Sequence, residues 1–217
     1  MATRTCLKRG SLGDVWLETR AGQSVAVREL RTARLCCRWL ARRLARREAR
    51  ALTRLSGLPG VPGLISLEPD RLVRAFIPGR VMHQHEPRSR GYYRNALALL
   101  RQLHRNGVTH NDLAKEANWI CPQDNEVAIV DFQLALCFRR RGRLFRTLAR
   151  EDLRHLLKHK AHYRPDALTR RQRDILATPA WPARIWRTAV KPGYLLLTRG
   201  LLGWPEREGA DERQRPT

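Results

Sequence analysis

The stretch of residues 103–133 constrains this chain most, because it sets two carboxylates and an amide at the ends of short apolar segments. It opens at the close of an amphipathic run over residues 92–104. There Tyr93, Ala96, Leu97, Leu100 and Leu103 recur at helical spacing, and Asn106-Gly107 stops the helix. A loop, His110-Asn111-Asp112-Leu113, must follow. Residues 119–121 and 127–130 then read as two short strands around a polar turn at residues 123–125. The thirteen residues from Asn118 to Asp131 suit a hairpin that brings those two side chains toward one place.

Taken singly, these residues have bland explanations: a structural histidine at 110, a turn asparagine at 118, a strand-end carboxylate at 131. Their order around a helix and a hairpin resembles the catalytic core of the protein-kinase-like superfamily. His110-Asn111-Asp112-Leu113 stands where the catalytic loop carries its HRDL-type motif, Asn118 at its metal-binding asparagine, and Asp131-Phe132-Gln133 at DFG. The resemblance implies an α+β, bilobal kinase-like fold with a small antiparallel-sheet N-lobe and hinge over residues 1–79. A truncated, mainly helical C-lobe over residues 80–178 and a basic aromatic tail over 179–217 complete the expectation. It also implies ATP and magnesium as cofactors, Asp112 as the catalytic carboxylate, Lys115 beside the γ-phosphate, and Asn118 and Asp131 as metal ligands. The chemistry suits these residue types. Phosphoryl transfer needs an oriented hydroxyl and neutralised phosphate charge, and carboxylate and amide oxygens are hard ligands that magnesium accepts.

Upstream, strand-like runs at residues 5–8, 15–17 and 25–27 with turns at Gly10, Gly13 and Gly22 read as an antiparallel meander. Gly10, Ser11, Gly13 and Val15 overlay the family's glycine-rich loop, although Lys8 replaces its first glycine. Such glycines admit phosphates to backbone N–H groups or simply shape a hairpin turn. A basic helix over about residues 31–55 carries Leu40, Leu44, Leu52 and Leu55 on one side. Arg42, Arg43, Arg46, Arg47 and Arg50 lie elsewhere on it, and Glu48 sits within the apolar stripe. A carboxylate there needs a cation, and the family pattern implies an ion pair between Glu48 and Arg28 of the Val25-Ala26-Val27-Arg28 strand. Further strands are expected at residues 64–67 and 71–77, with Pro78-Gly79 closing the first lobe.

Four departures narrow the resemblance. Arg28 replaces the usual lysine, which is not a conservative change. The six-residue step from Asp112 to Asn118 is one longer than in protein kinases, Gln133 replaces a glycine, and no APE motif follows. Arginine at position 28 and the short C-terminal half are similar to lipopolysaccharide-core kinases, especially the Kdo (3-deoxy-D-manno-octulosonic acid) kinases, and to RIO-type kinases. Asp152 reads either as an anchor for the catalytic loop or as a solvated aspartate near a helix start.

The charge is extreme. Of 217 residues, 43 are basic against 20 acidic, a formal net charge of +23, and all but five of the basic residues are arginine. Such a field favours an anionic partner. The expected acceptor is an anionic lipopolysaccharide core or other lipid-linked hydroxyl, with protein Ser/Thr close behind and a nucleotide-binding pseudokinase as the alternative. Nucleic acid is less favoured, because no recognition motif accompanies the charge. Neither a spanning segment nor a secretory leader is read, so a cytoplasmic protein is expected. Aromatic and basic residues of the tail, Trp181, Trp186, Tyr194 and Lys191 among them, suit either peripheral contact with an anionic membrane face or packing on the C-lobe. Five cysteines show no metal or disulfide spacing, and His83 and His85 read as a polar loop.

Overall fold

The computed structural model describes residues 4–20 and 22–178. Its first half is a five-stranded antiparallel sheet built from β1 (Arg4–Lys8), β2 (Asp14–Arg20), β3 (Gln23–Glu29), β4 (Leu64–Glu68) and β5 (Arg71–Ala75), in the order β1-β2-β3-β5-β4. The meander expected from the glycine-punctuated apolar runs is present. Helix α1 (Arg38–Arg54) connects β3 to β4. It starts later than the sequence suggests because Arg34, at φ −53 and ψ 139, is extended and interrupts the winding, with its N–H donating to the Ser11 carbonyl.

α1 joins the two halves of the core. Its small residues Ala41, Ala45 and Ala49 pack with Leu30 and Leu72 of the sheet side. Ala51, Leu52 and Leu55 instead enter the larger core with Leu100, Leu103, Trp119 and Phe132. Burial of each leucine there contributes about 1.5–3 kcal/mol relative to exposure.

The second half begins with β6 (Arg80–Val81) and the four-residue helix α2 (Met82–His85), which carries His83 and His85. Among the described residues, no group of three His, Cys, Asp or Glu side chains is placed to hold a metal. Gly79 lets the chain pass close to β8 (Trp119–Cys121), since a β-carbon there would lie 2.7 Å from the Cys121 carbonyl oxygen. Helix α3 (Arg90–Arg105) is capped by Ser89, whose hydroxyl accepts from the Tyr92 N–H, and it buries Tyr92, Tyr93, Ala96, Leu99, Leu100 and Leu103. After β7 (Val108–Thr109), β8 and β9 (Ala128–Ile129) form the expected hairpin, with Trp119 opposite Ile129. β10 (Leu136–Cys137) pairs with β7, and helices α4 (Arg143–Tyr163) and α5 (Arg170–Ala177) follow. The result is a mixed α+β protein. No described helix is long and apolar enough to cross a membrane. The aromatic, basic tail expected at residues 179–217 lies outside the described residues.

Two α4 histidines make stability pH-dependent. Burial, reinforced by Lys158, pushes His155 from 6.5 down to about 4, and burial lowers His159 in the same direction. The folded protein then holds His155 neutral while an unfolded chain takes up a proton below about pH 6.5. Its contribution is therefore complete above that pH and is lost as the pH falls toward about 4, by about 2–3 kcal/mol after allowance for partial solvent contact. Urea midpoints near pH 7 and pH 5 should show this loss, and His155→Gln should flatten the slope.

Candidate functional site

The loop at residues 110–113 is fixed from below by Asp152, on the tenth residue of α4 rather than near its start. The buried Asp152 carboxylate accepts the His110 N–H at 2.8 Å, the Asn111 N–H at 2.9 Å and His104 Nε2 at 3.2 Å. The anchoring role is therefore the one the fold realises. Asn111 adopts φ +67, a left-handed turn that asparagine tolerates, and its Nδ2 donates to the Leu134 carbonyl at 2.8 Å. The Leu113 carbonyl accepts from Trp119 Nε1 at 3.1 Å and from His159 Nε2 at 2.8 Å. His110 is buried as a linker: Nε2–H donates to the Val130 carbonyl at 3.0 Å and Nδ1 accepts the Asp112 N–H at 3.3 Å. This arrangement requires the neutral Nε2–H tautomer.

So held, Asp112 turns its carboxylate to two partners. Oδ2 accepts from Asn118 Nδ2 at 3.1 Å and faces Lys115 Nζ at 2.9 Å. The Asn118 amide nitrogen also donates to the Asp112 carbonyl at 2.8 Å, which ties the six-residue step into a closed loop. Across the hairpin the Val130 N–H donates to the Asn118 carbonyl at 3.0 Å, so Asp131 emerges one residue beyond Asn118's cross-strand neighbour. Asp112, Lys115 and Asn118 thus meet, and the Asp131 backbone follows directly on the residue bonded to Asn118, at the same end of β8 and β9.

Asp131 itself sits at φ 65, ψ 65. Burial pushes its carboxyl upward, but the charges of Arg28, Arg74 and Lys8 and the bond from Gln133 outweigh it and hold the group well below the usual carboxylate range. It is ionised at every physiological pH. Arg28 Nη2 lies 3.6 Å from Oδ1, which also accepts from Gln133 Nε2. Both side-chain partners meet Oδ1, so Oδ2 of Asp131 and the Asn118 amide oxygen are the atoms suited to a hard cation. One or two protein oxygens of this kind match magnesium, which keeps several waters and phosphate oxygens as its remaining ligands.

The expected Glu48–Arg28 pair is not formed. Glu48, fully buried, receives Arg74 Nη1 on Oε1 at 2.5 Å. The register explains the exchange: Ala26 stands opposite Arg74 and Arg28 opposite Leu72, so the two arginines share a sheet face but lie two residues apart along the strands, about 7 Å. Arg74 reaches the middle of α1 while Arg28 reaches Asp131. Glu48 Oε2 and Arg28 Nε are both buried without a hydrogen-bond partner. A lone arginine on the inward parity of the apolar run at residues 71–77 is the signal that identifies Arg74.

The glycine turn lies beside Arg28, since Val15 stands opposite both Lys8 and Arg28. Its amides are partly committed within the turn: the Gly10 N–H donates to Asp14 Oδ1 at 3.3 Å and the Gly13 N–H to the Gly10 carbonyl at 3.0 Å. Gly13, at φ +105, is required because a β-carbon would collide with the Glu29 carbonyl oxygen. The geometry therefore accounts for Gly13 as a shaper of the turn. The cationic side of α1 also differs from expectation. Arg42 binds Asp70 at 2.6 Å, and Arg47 donates to the Leu134 and Ala135 carbonyls at 3.2 and 2.9 Å, behind the site.

No protein-family model matches the chain, and no curated protein matches it. The site therefore stands on its own geometry.

Proposed function

We propose that this chain has a kinase-like bilobal arrangement and is an ATP-dependent phosphotransferase acting on a hydroxyl acceptor. One observation carries the reading: the Asp112 carboxylate lies within hydrogen-bond reach of both Asn118 and Lys115, in a loop anchored by Asp152.

In this reading Asp112 orients the acceptor hydroxyl and receives its proton as the oxygen attacks the γ-phosphorus, while the bond from that phosphorus to the bridging oxygen breaks and ADP leaves with the electron pair. Lys115, half-exposed beside it, balances charge on the transferring group. Asp131 and Asn118 hold magnesium, which when bound neutralises the phosphate oxygens. Arg28 adds a permanent guanidinium next to Asp131, and the turn containing Gly10, Ser11, Gly13 and Val15 covers the nucleotide. Arg74 rather than Arg28 engages Glu48, so Arg28 stands instead at Asp131, from where its guanidinium adds positive charge for the phosphates.

The favoured acceptor is an anionic lipopolysaccharide-core sugar or a lipid-linked hydroxyl, in the cytoplasm at the inner membrane face. The net charge of +23 supports an anionic substrate. Protein Ser/Thr is the nearer alternative acceptor. A second reading, nucleotide binding without chemistry, draws on the convergence of Arg28 and Gln133 on Asp131 Oδ1. Incubation with magnesium and γ-labelled ATP, separately with core oligosaccharide and with a mixed protein extract, tests the assignment. Label in the oligosaccharide supports it, label in protein alone removes the sugar acceptor, and no transfer at all leaves the pseudokinase.

A further inference from the structure

One face of α1 and the turn before it remain unused by the fold. Leu35 is 81% exposed and Trp39 70% exposed, four residues apart, with Leu40 beside them. The Arg43 guanidinium lies 5.8 Å from the Trp39 ring centroid, and Arg46 and Arg50 continue the exposed stripe at helical spacing. Among the described residues no carboxylate pairs with Arg43, Arg46 or Arg50. The single acidic residue of α1, Glu48, faces inward and is fully buried. The outer face is thus apolar at one end and purely cationic along the rest.

We infer that this face docks on an anionic phospholipid bilayer, with Leu35 and Trp39 entering the headgroup and acyl boundary and Arg43, Arg46 and Arg50 lying on the lipid phosphates. Charge complementarity selects an anionic partner, and the aliphatic tip selects its kind. An exposed leucine gains little from the phosphates of a nucleic acid, whereas hydrocarbon removes it from water. Tryptophan suits the same boundary, with an apolar body and an N–H left to the polar layer. The helix is also held firmly from behind by Glu48–Arg74 and by Arg47 on the Leu134 and Ala135 carbonyls, so the face is presented without ordering a loop. The inference does not depend on the phosphotransfer reading.

Co-sedimentation of the full chain with phosphatidylcholine vesicles, with and without phosphatidylglycerol, tests it. The full chain should pellet only with the anionic vesicles. Leu35→Ala/Trp39→Ala should lower that partition about tenfold or more while leaving the melting temperature unchanged, since both residues are exposed. Arg43→Ala/Arg46→Ala/Arg50→Ala, an independent variant, should weaken binding and flatten its salt dependence. Equal partition of the Leu35/Trp39 variant and the unaltered chain would overturn the inference, because binding would then arise elsewhere, residues 179–217 included. Failure to pellet with anionic vesicles would overturn it too. Tighter binding to single-stranded RNA, lost on the same substitutions, would reassign the face to nucleic acid.

Discussion

Asp112→Asn is expected to lower phosphotransfer about 10³-fold at saturating ATP, the range that loss of a positioned general base produces. The substitution is nearly isosteric and the loop does not depend on the charge. Its closure rests on the Asn118 bond to the Asp112 carbonyl, on the His110 contacts and on Asp152. The lost ion pair to Lys115 involves a half-exposed lysine, so stability should change by no more than about 1 kcal/mol. Affinity for ATP should change little, because in the proposed reaction the side chain acts on the acceptor hydroxyl. Steady-state rates beside an ATP titration separate these effects. A variant with full turnover would place the chemistry elsewhere.

Asp152→Ala should be the most damaging substitution for folding, at about 3–5 kcal/mol. Both carboxylate oxygens are used, and their removal strands the buried N–H of His110 and the partly buried N–H of Asn111 while His104 loses its partner. Each buried donor left unpaired costs about 1–3 kcal/mol. Asp152→Asn should cost less, since its remaining carbonyl oxygen still accepts one of the backbone donors. Equilibrium urea denaturation measures both. A loss below about 1 kcal/mol for Asp152→Ala would mean that the loop is held by its other contacts, chiefly His159 and Trp119 on the Leu113 carbonyl.

Much of this arrangement was readable from residue order. The helix before the loop announces itself through period and stop signal, and the β8–β9 hairpin through alternation around a polar turn, so the proximity of Asn118 and Asp131 is a local consequence. Pairings set by long-range register were not readable in the same way. Whether Glu48 meets Arg28 or Arg74 depends on how β3 aligns with β5 across an intervening helix, and both residues are arginines on one face. Arg47 likewise belongs to a helix whose arginines look alike in sequence, yet a single residue step, about 100° of rotation, separates the solvated Arg46 from Arg47, bonded to the Leu134 carbonyl. The delayed start of α1 follows from the extended conformation of Arg34, set by its tertiary contact with the Ser11 carbonyl. Helix α2, at four residues, is too short to show a period.

If Asp112, Lys115, Asn118 and Asp131 serve a magnesium-bound nucleotide, calorimetric titration of the full chain with ATP should give saturable binding in magnesium that weakens at least about tenfold in chelator, because phosphate charge must be neutralised next to ionised Asp131. Absence of ATP binding under both conditions would mean that these residues do not form a nucleotide site.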